Sequence, residues 1–435
     1  MPNRQTPPPS HPIELTIGMH PLSESLPNGV MLNLLPMPNL PLVRLDLYFP
    51  GGKWVQNLPC QAALATTQMR EGTASYSVER INELLDFYGA TIAPNANFSY
   101  STLTVVCLRK HLVNILPLVH SMLVEPLYGE EHMQIALNQM RTVWQIDQGK
   151  VDYQARRVFM AHLFGDNHPM GYRVQLSDFD QMNPDVLREY HRNHLSSENC
   201  SLYMTGGYTE EDLRLIRSCF GQSTWGNGVG KCPFVYEKRN PEPLAEKHVR
   251  IAMPQPTVQS SVRMGRIMPP SWHQDTPLIR LVNTILGGYF GSRLMSNIRE
   301  TKGLTYDISS GILNAPGETI FSISSEMPNG NAEEVIDEIR SECMRLAQEP
   351  ISAEELNLVK NYLMGNACRA YEPSLAFASV LISLLPSGRT IENIEDDNRR
   401  VMAATPEDIM RIASTYFSPN DFTDVIVGNA IDSEN

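Results

Sequence analysis

The sequence GGYFGSRLMSNIRETKGLTY, at residues 287–306, is the stretch that decides the expected fold. An apolar run with helical spacing at residues 279–286 leads into it, and two glycines then break that helix. A second short helix is predicted to stop at Gly303, because glycine enters the left-handed region at little cost. A strand is predicted to begin at Tyr306, so the stretch indicates a helix, a turn, a short helix and a strand.

This stretch resembles the C-terminal-domain motif of the pitrilysin, insulinase and mitochondrial processing peptidase family of zinc metallopeptidases. In that family a small-residue turn precedes S-R-L and an L/I-R-E-x-K/R-G-L-x-Y run, and every one of those positions is matched here. The family's Arg and Tyr face the metal site across a cavity and hydrogen-bond the substrate. The resemblance therefore implies substrate contacts by Arg299 and Tyr306. The alternative is that Arg299 caps a helix and Tyr306 packs under a sheet.

Composition limits the classes of function. The 435 residues allow two or three domains, and 42% apolar residues are enough for packed cores. A net charge of −13 argues against a nucleic-acid partner, and no run approaches the roughly 20 apolar residues of a membrane span. Seven scattered cysteines indicate free thiols in a reducing compartment. No signal peptide is visible, and so a cytoplasmic location is expected.

An internal repeat predicts two homologous domains. A Glu-Pro pair followed by two adjacent glutamates occurs at residues 125–131 and again at residues 349–355, 224 positions later. The order of predicted helices and strands around the two copies also matches, as expected for a duplication. The predicted divisions are a disordered tail (1–12), an N-terminal peptidase-like domain (13–219), a linker (220–245) and a C-terminal peptidase-like domain (246–435).

The resemblance also implies the fold class. It predicts an α+β protein of two homologous domains, each a mainly antiparallel sheet with helices on one face. The two domains are expected to form a clamshell around a central cavity. The resemblance extends over about residues 20–430, nearly the whole chain.

The zinc motif of the family is replaced in this chain. Active members carry His-x-x-Glu-His on one helix, in which the two histidines and a later Glu hold zinc and the Glu between them is the general base. Counting back from the Gly-Thr pair that ends the family's helix places Ala63, Thr66 and Thr67 at these positions, with Gln139 in place of the later Glu. Such side chains are poor zinc ligands. We expect no metal or other cofactor in this chain and no activity of the chain alone.

Three other features of the sequence bear on function. In the family, the edge strand that begins here at Thr91 receives the substrate as an added strand, and Pro94 is expected to weaken that pairing. His191 and His194 share a predicted helix, but with no third ligand nearby they are interpreted as surface histidines. The sequence contains no Gly-x-Ser-x-Gly motif, the pattern that would indicate a nucleophilic serine.

The pattern as a whole resembles the non-catalytic subunits of this family. The leading hypothesis is a substrate-binding subunit of a heterodimeric zinc metallopeptidase that cleaves unfolded peptides, in which zinc is held by a homologous partner bearing His-x-x-Glu-His. An alternative is a structural or peptide-binding pseudoenzyme without proteolysis. A third is a peptidase with an unforeseen metal site of its own. A homodimer of the isolated chain is left open.

Overall fold

A computed structural model describes residue 15, residues 17–227 and residues 239–429. The predicted tail at residues 1–12 lies outside the described residues, as does the central part of the predicted linker, residues 228–238. No helix in the described ranges is long and apolar enough to cross a membrane.

Two sheets organise the described residues. Their strands are β1 (Leu22–Ser25), β2 (Met31–Pro36), β3 (Leu42–Pro50), β4 (Thr91–Ala96), β5 (Tyr100–Leu108), β6 (Ser201–Gly206), β7 (His248–Ala252), β8 (Gln259–Met268), β9 (Asp307–Ala315), β10 (Glu318–Pro328) and β11 (Thr423–Gly428). The first sheet has the order β1-β2-β6-β3-β5-β4 and the second has the order β7-β11-β8-β10-β9. Each is antiparallel except for one parallel pair, β2 with β6 and β7 with β11.

The two sheets repeat one topology. Once the additional strand β1 is set aside, β2-β6-β3-β5-β4 corresponds strand by strand to β7-β11-β8-β10-β9, and the parallel pair occupies the same place in both. Independent sheets would rarely share both the strand order and the position of the parallel pair. The predicted α+β class with two mainly antiparallel sheets is confirmed.

Each sheet packs one face against helices of its own half of the chain. The helices are α1 (Gln61–Thr67), α2 (Val78–Tyr88), α3 (Leu112–Val124), α4 (Glu130–Gln148), α5 (Val151–Phe164), α6 (Pro184–His194), α7 (Glu210–Gly221), α8 (Thr276–Gly287), α9 (Ala332–Gln348), α10 (Ala353–Ala370), α11 (Phe377–Leu384), α12 (Ile391–Ala403) and α13 (Pro406–Tyr416). Apolar side chains of α1–α4, α6 and α7 form one core with the first sheet. Those of α8–α10, α12 and α13 form a second core with the other sheet.

The opposite face of each sheet is covered by a helix from the other half. Phe159 of α5 lies in one buried cluster with Val425 of β11, in the second sheet. Phe377 of α11 lies in one buried cluster with Tyr203 of β6, in the first sheet. The sequence predicted helices on one face only, and this reciprocal exchange adds a helix to the other face. The two halves are therefore joined by two buried apolar interfaces.

His191 is buried, so the interpretation of this residue as a surface histidine is wrong. It follows Leu187 by four residues on α6 and shares that residue's buried face. Its ring lies 5.7 Å from the ring of Tyr128. Burial lowers the pKa of His191 to about 4, because the charged imidazolium is poorly solvated there.

The helix exchange predicts that the halves unfold together. Phe159→Ala and Phe377→Ala should each lower the free energy of unfolding by about 3–5 kcal/mol, because each leaves a cavity at an interface between halves. Denaturant titration followed by tryptophan fluorescence should show a single transition shifted in both variants. Phe87→Ala, at a Phe that is 80% exposed, is the control and should change stability by less than about 0.5 kcal/mol. Two separate transitions, only one of them shifted, would contradict the interlocked arrangement.

The depressed pKa of His191 predicts a loss of stability in mild acid. Between pH 6.5 and pH 4 the unfolded chain binds a proton at this residue and the folded chain does not, so stability falls as the pH falls. Between pH 7 and pH 5, His191→Gln should therefore lose about 2 kcal/mol less than the wild type. The measurement is denaturant unfolding at both pH values, with His20→Gln at an exposed histidine as the control. An identical pH dependence for wild type and His191→Gln would refute this assignment.

Candidate functional site

Helix α1 is held by side chains from outside it. It carries Ala63, Thr66 and Thr67, three of the four predicted degenerate metal positions. The Tyr128 hydroxyl donates a hydrogen bond to the Ala65 carbonyl oxygen, at 2.8 Å. The Gln61 amide accepts from the Asn57 backbone N–H at 2.9 Å and donates to the Val186 carbonyl at 3.0 Å. A helix of only seven residues has little stability of its own, so these contacts fix where its faces point.

The structure brings three of the four positions to one cavity. Ala63, Thr67 and Gln139 line a space of about 700 Å³ between α1 and α4. Thr66 is fully buried and turned towards the sheet, where its hydroxyl donates to the Ala62 carbonyl at 2.8 Å and lies 3.1 Å from the Ser101 hydroxyl. Ala63 and Thr67 are four residues apart, so they lie on one face of α1, and that face lines the cavity.

The cavity does not fit a zinc ion. Cys60, Glu71 and Asp147 also line it, but no three His, Cys, Asp or Glu side chains are grouped for metal binding anywhere in the described residues. Burial raises the pKa of the Cys60 thiol to about 11, which disfavours the thiolate that zinc requires. Most of the remaining wall is apolar, so the cavity lacks the cluster of charged side chains that would hold a metal ion.

The second candidate region is the segment quoted first, which folds as predicted with two differences. Its short helix is a π-helix, Met295–Thr301. Gly303 follows with φ of 64°, and its N–H donates to the Arg299 carbonyl at 3.1 Å. Strand β9 begins one residue later than predicted, so Tyr306 lies in the turn that precedes the strand.

Arg299 is stacked between two exposed aromatic rings. Its guanidinium carbon lies 5.0 Å from the centre of the Phe290 ring and 5.2 Å from the centre of the Tyr306 ring. Tyr306 is 85% exposed and Phe290 is 65% exposed, so the alternative that Tyr306 packs under a sheet is wrong. Within the described part of the chain, Arg299 has no ion pair and the Tyr306 hydroxyl has no hydrogen bond. Tyr306 is therefore exposed, and Arg299 is half-buried without an ion-pair partner in that part of the chain.

Phe290 was not singled out from the sequence. It lies in the glycine-containing turn between α8 and the π-helix, nine residues before Arg299. An aromatic residue in a turn that exposes its side chain was the available signal, but its contact with Arg299 depends on how the turn folds back. We call Phe290, Arg299 and Tyr306 the aromatic–arginine stack.

The cavity at α1 continues into two others. Asp147 and Tyr153 line both this cavity and a second one of about 780 Å³, which also contacts the other half of the chain. Glu326 lines that second cavity and is the strand partner of Asp307, the residue after Tyr306. A third cavity, of about 440 Å³, shares Ala63 with the first. The three cavities form a groove that runs from α1 towards the strand pair next to Tyr306.

The edge strand of the first sheet is β4, as predicted, and its outer side is blocked in two places. Pro94 has no N–H to donate. The Ile92 carbonyl already accepts a hydrogen bond from the Arg70 guanidinium, at 3.1 Å. Addition of a peptide strand along β4 is therefore disfavoured.

Comparison with known proteins finds a family match for the second of these two regions. Residues 181–363, which include the aromatic–arginine stack, match the sequence family described as the peptidase M16 inactive domain. Over this segment the chain is similar to the M16 peptidases. The uncharacterized zinc protease YmxG of Bacillus subtilis is 21% identical to it over 305 residues, covering 69% of this chain and 72% of that protein. The probable inactive metalloprotease YmfF of the same species is 21% identical over 277 residues, covering 62% of each chain.

The fold of the chain also matches a solved structure. The crystal structure of a peptidase M16 inactive domain from Pseudomonas fluorescens superposes with a TM-score of 0.83 at 19% sequence identity, covering 95% of this chain and 100% of that one. The family resemblance inferred from residues 287–306 is confirmed. Residues 181–363 are therefore similar to the M16 inactive domain, and the chain has the fold of the solved one.

The placement of the degenerate positions predicts that zinc binding can be restored. The triple variant Ala63→His, Thr67→His and Gln139→Glu puts two imidazoles on one helix face and a carboxylate across the cavity, which is a zinc ligand set. After dialysis against a weak chelator, metal analysis should find about one zinc per chain. The control is the double variant that keeps Thr67, and it should retain little zinc. Equal zinc contents in the two variants would contradict the assigned positions.

Proposed function

We propose that this chain is the non-catalytic, substrate-binding subunit of a heterodimeric zinc metallopeptidase that cleaves unfolded peptides. A homologous partner subunit bearing His-x-x-Glu-His holds the zinc and the general base. A cytoplasmic location is part of the same proposal. The observation that carries it is the aromatic–arginine stack, in which Arg299 and Tyr306 present unused hydrogen-bond donors at the surface.

The stack suits the binding of a peptide backbone. Rings on either side of the guanidinium restrict the side-chain rotamers of Arg299, so less conformational entropy is lost when a ligand binds. With no carboxylate paired to it in the described residues, the guanidinium keeps its N–H groups for carbonyl oxygens. The exposed face of Phe290 adds apolar contact area beside these donors.

In the assembled enzyme, each of these groups has a distinct part. Zinc on the partner supplies Lewis-acid activation of water and of the scissile carbonyl. The Tyr306 hydroxyl donates a hydrogen bond to the oxyanion that develops on that carbonyl. Arg299 donates to backbone carbonyls on either side and so holds the peptide in place. The chain therefore contributes positioning and electrostatic stabilisation.

The alternative is a structural or peptide-binding pseudoenzyme that takes part in no proteolysis. The replaced metal positions favour it as much as they favour the heterodimer, since neither function needs zinc in this chain. The stack argues against a purely structural subunit, which gains nothing from an arginine without an ion-pair partner. Proteolysis by the complex is what separates the heterodimer from a peptide-binding pseudoenzyme. Mixing the purified chain with an M16 homologue that bears His-x-x-Glu-His, and assaying an unstructured peptide, decides between them.

Removal of the Tyr306 hydroxyl predicts a loss of turnover. In the assembled heterodimer Tyr306→Phe should lower kcat by about 10²–10³, the usual effect of losing one oxyanion donor. The ring that stacks on Arg299 is kept, so assembly measured by size-exclusion chromatography should be unchanged. Tyr362→Phe, at a Tyr that is 41% exposed on α10, is the matched control and should retain full activity. Wild-type turnover in Tyr306→Phe would exclude the assigned role.

A further inference from the structure

A polar cavity of about 660 Å³ lies in the second half of the chain. Its walls come from the turn after α8, from the π-helix, from α9 and from the first turns of α10. It shares no lining residue with the aromatic–arginine stack or with the three cavities of the groove. The cavity is therefore a separate candidate site, and the proposed function gives it no role.

Charge-assisted hydrogen bonds hold the walls of this cavity in place. Arg293, in the turn, donates two hydrogen bonds to Glu355 of α10, at 2.8 and 2.9 Å. The side-chain amide of Asn297, in the π-helix, donates to Glu338 and Glu342 of α9, each at 3.0 Å. Because the walls are fixed before a ligand arrives, little conformational entropy is lost when one binds.

Glu342 is a buried carboxylate with one oxygen left for a ligand. The residue is only 3% exposed and lines the cavity. Its Oε1 atom accepts hydrogen bonds from Asn297 and Arg345, both at 3.0 Å. Its Oε2 atom accepts none from the described residues and keeps some accessible area, which opens into the cavity. A buried carboxylate oxygen is stabilised by a further donor, so this atom favours a ligand that carries N–H groups.

The charge around the cavity favours a cation. Both lining arginines are already paired, Arg293 with Glu355 and Arg345 with Glu342. Glu354 also lines the cavity, and it has no ion-pair partner in the parts of the chain that the structure describes. The lining thus holds three carboxylates and two guanidinium groups, which leaves one negative charge without a partner.

The aromatic wall of the cavity indicates an organic cation. Tyr289 lines the cavity, and its ring packs against the ring of Tyr362 with the centroids 5.0 Å apart. The face of such a ring attracts a guanidinium or an ammonium group. Leu358, in the same wall, offers apolar contact to an alkyl chain. A metal ion fits less well, since the described ranges contain no group of three His, Cys, Asp or Glu side chains that could hold one.

We propose that this cavity binds the guanidinium or ammonium group of an alkyl cation. Glu342 Oε2 accepts a hydrogen bond from the cation, and the ring of Tyr289 lies beside the bound charge. The same group occurs in a free amine or guanidine and in a basic side chain of a polypeptide. Binding at this place needs no zinc-bearing partner, so the inference does not depend on the proposed function.

The test compares a cation with a neutral molecule of the same shape. The probe is n-butylguanidinium chloride, and the reference is n-butylurea, in which an uncharged group replaces the cationic one. Isothermal titration calorimetry of the full-length wild-type chain at low ionic strength should show about tenfold tighter binding of the cation, the effect expected of one charge-assisted hydrogen bond. Glu342→Gln should abolish this preference, and Glu354→Gln should reduce it. Glu334→Gln, at an exposed glutamate in the first turn of α9 and outside the cavity, is the control and should keep it.

A second pair of probes separates the two sources of the cation. An unstructured peptide with one arginine is compared with the same peptide carrying citrulline, whose side chain ends in a neutral urea group. Tighter binding of the arginine peptide supports the site and identifies a polypeptide side chain as its ligand. Binding of butylguanidinium without such a difference between the peptides supports the site and identifies a free small molecule.

Two outcomes overturn the site. One is equal binding of butylguanidinium and butylurea to the wild type, including no binding of either. The other is a preference for the cation that survives undiminished in a folded Glu342→Gln variant, because the cation would then bind elsewhere on this acidic chain. If Glu342→Gln fails to fold, Glu354→Gln decides the matter, and an unchanged preference in that variant overturns the site.

Discussion

The reciprocal packing of α5 and α11 is the constraint on which the rest of the structure depends. A sheet with apolar side chains on both faces has to cover both, and here each half covers its own sheet on one face only. The second face is covered by a helix of the other half. Leaving that face uncovered would cost about 1.5–3 kcal/mol for each large apolar side chain exposed to water. Separation of the halves would uncover both faces at once, so their relative position is fixed by the hydrophobic effect.

This fixed position also determines where the cavities lie. Helix α5 follows α4 after a short turn, so the helix that lines the degenerate metal cavity leads directly into the helix that packs on the second sheet. Asp147 and Tyr153, at the two sides of that turn, therefore line both the first cavity and the one shared with the other half. The groove is a consequence of the helix exchange.

The two halves share a topology but present different chemistry at equivalent places. Helix α1 follows β3 and helix α8 follows β8, and these strands hold the same place in the two sheets, so α1 corresponds to α8, whose following turn carries Phe290. The first half has a mainly apolar cavity beside α1, and the second has a half-buried arginine in contact with two rings after α8.

The sequence by itself determined what depends on neighbouring residues. The left-handed glycine after the short helix and the order of helices and strands follow from local periodicity and glycine conformation. The replacement of the four metal positions is a prediction from the family resemblance. Only the tertiary structure decided the exchange of α5 and α11, the turn of Thr66 towards Ser101, the burial of His191 and the contact of Phe290 with Arg299. These depend on contacts between residues distant in sequence, or on which of two helix faces a neighbouring element covers. An amphipathic pattern indicates that one face of a helix is buried, but it does not identify the helix or sheet that covers that face.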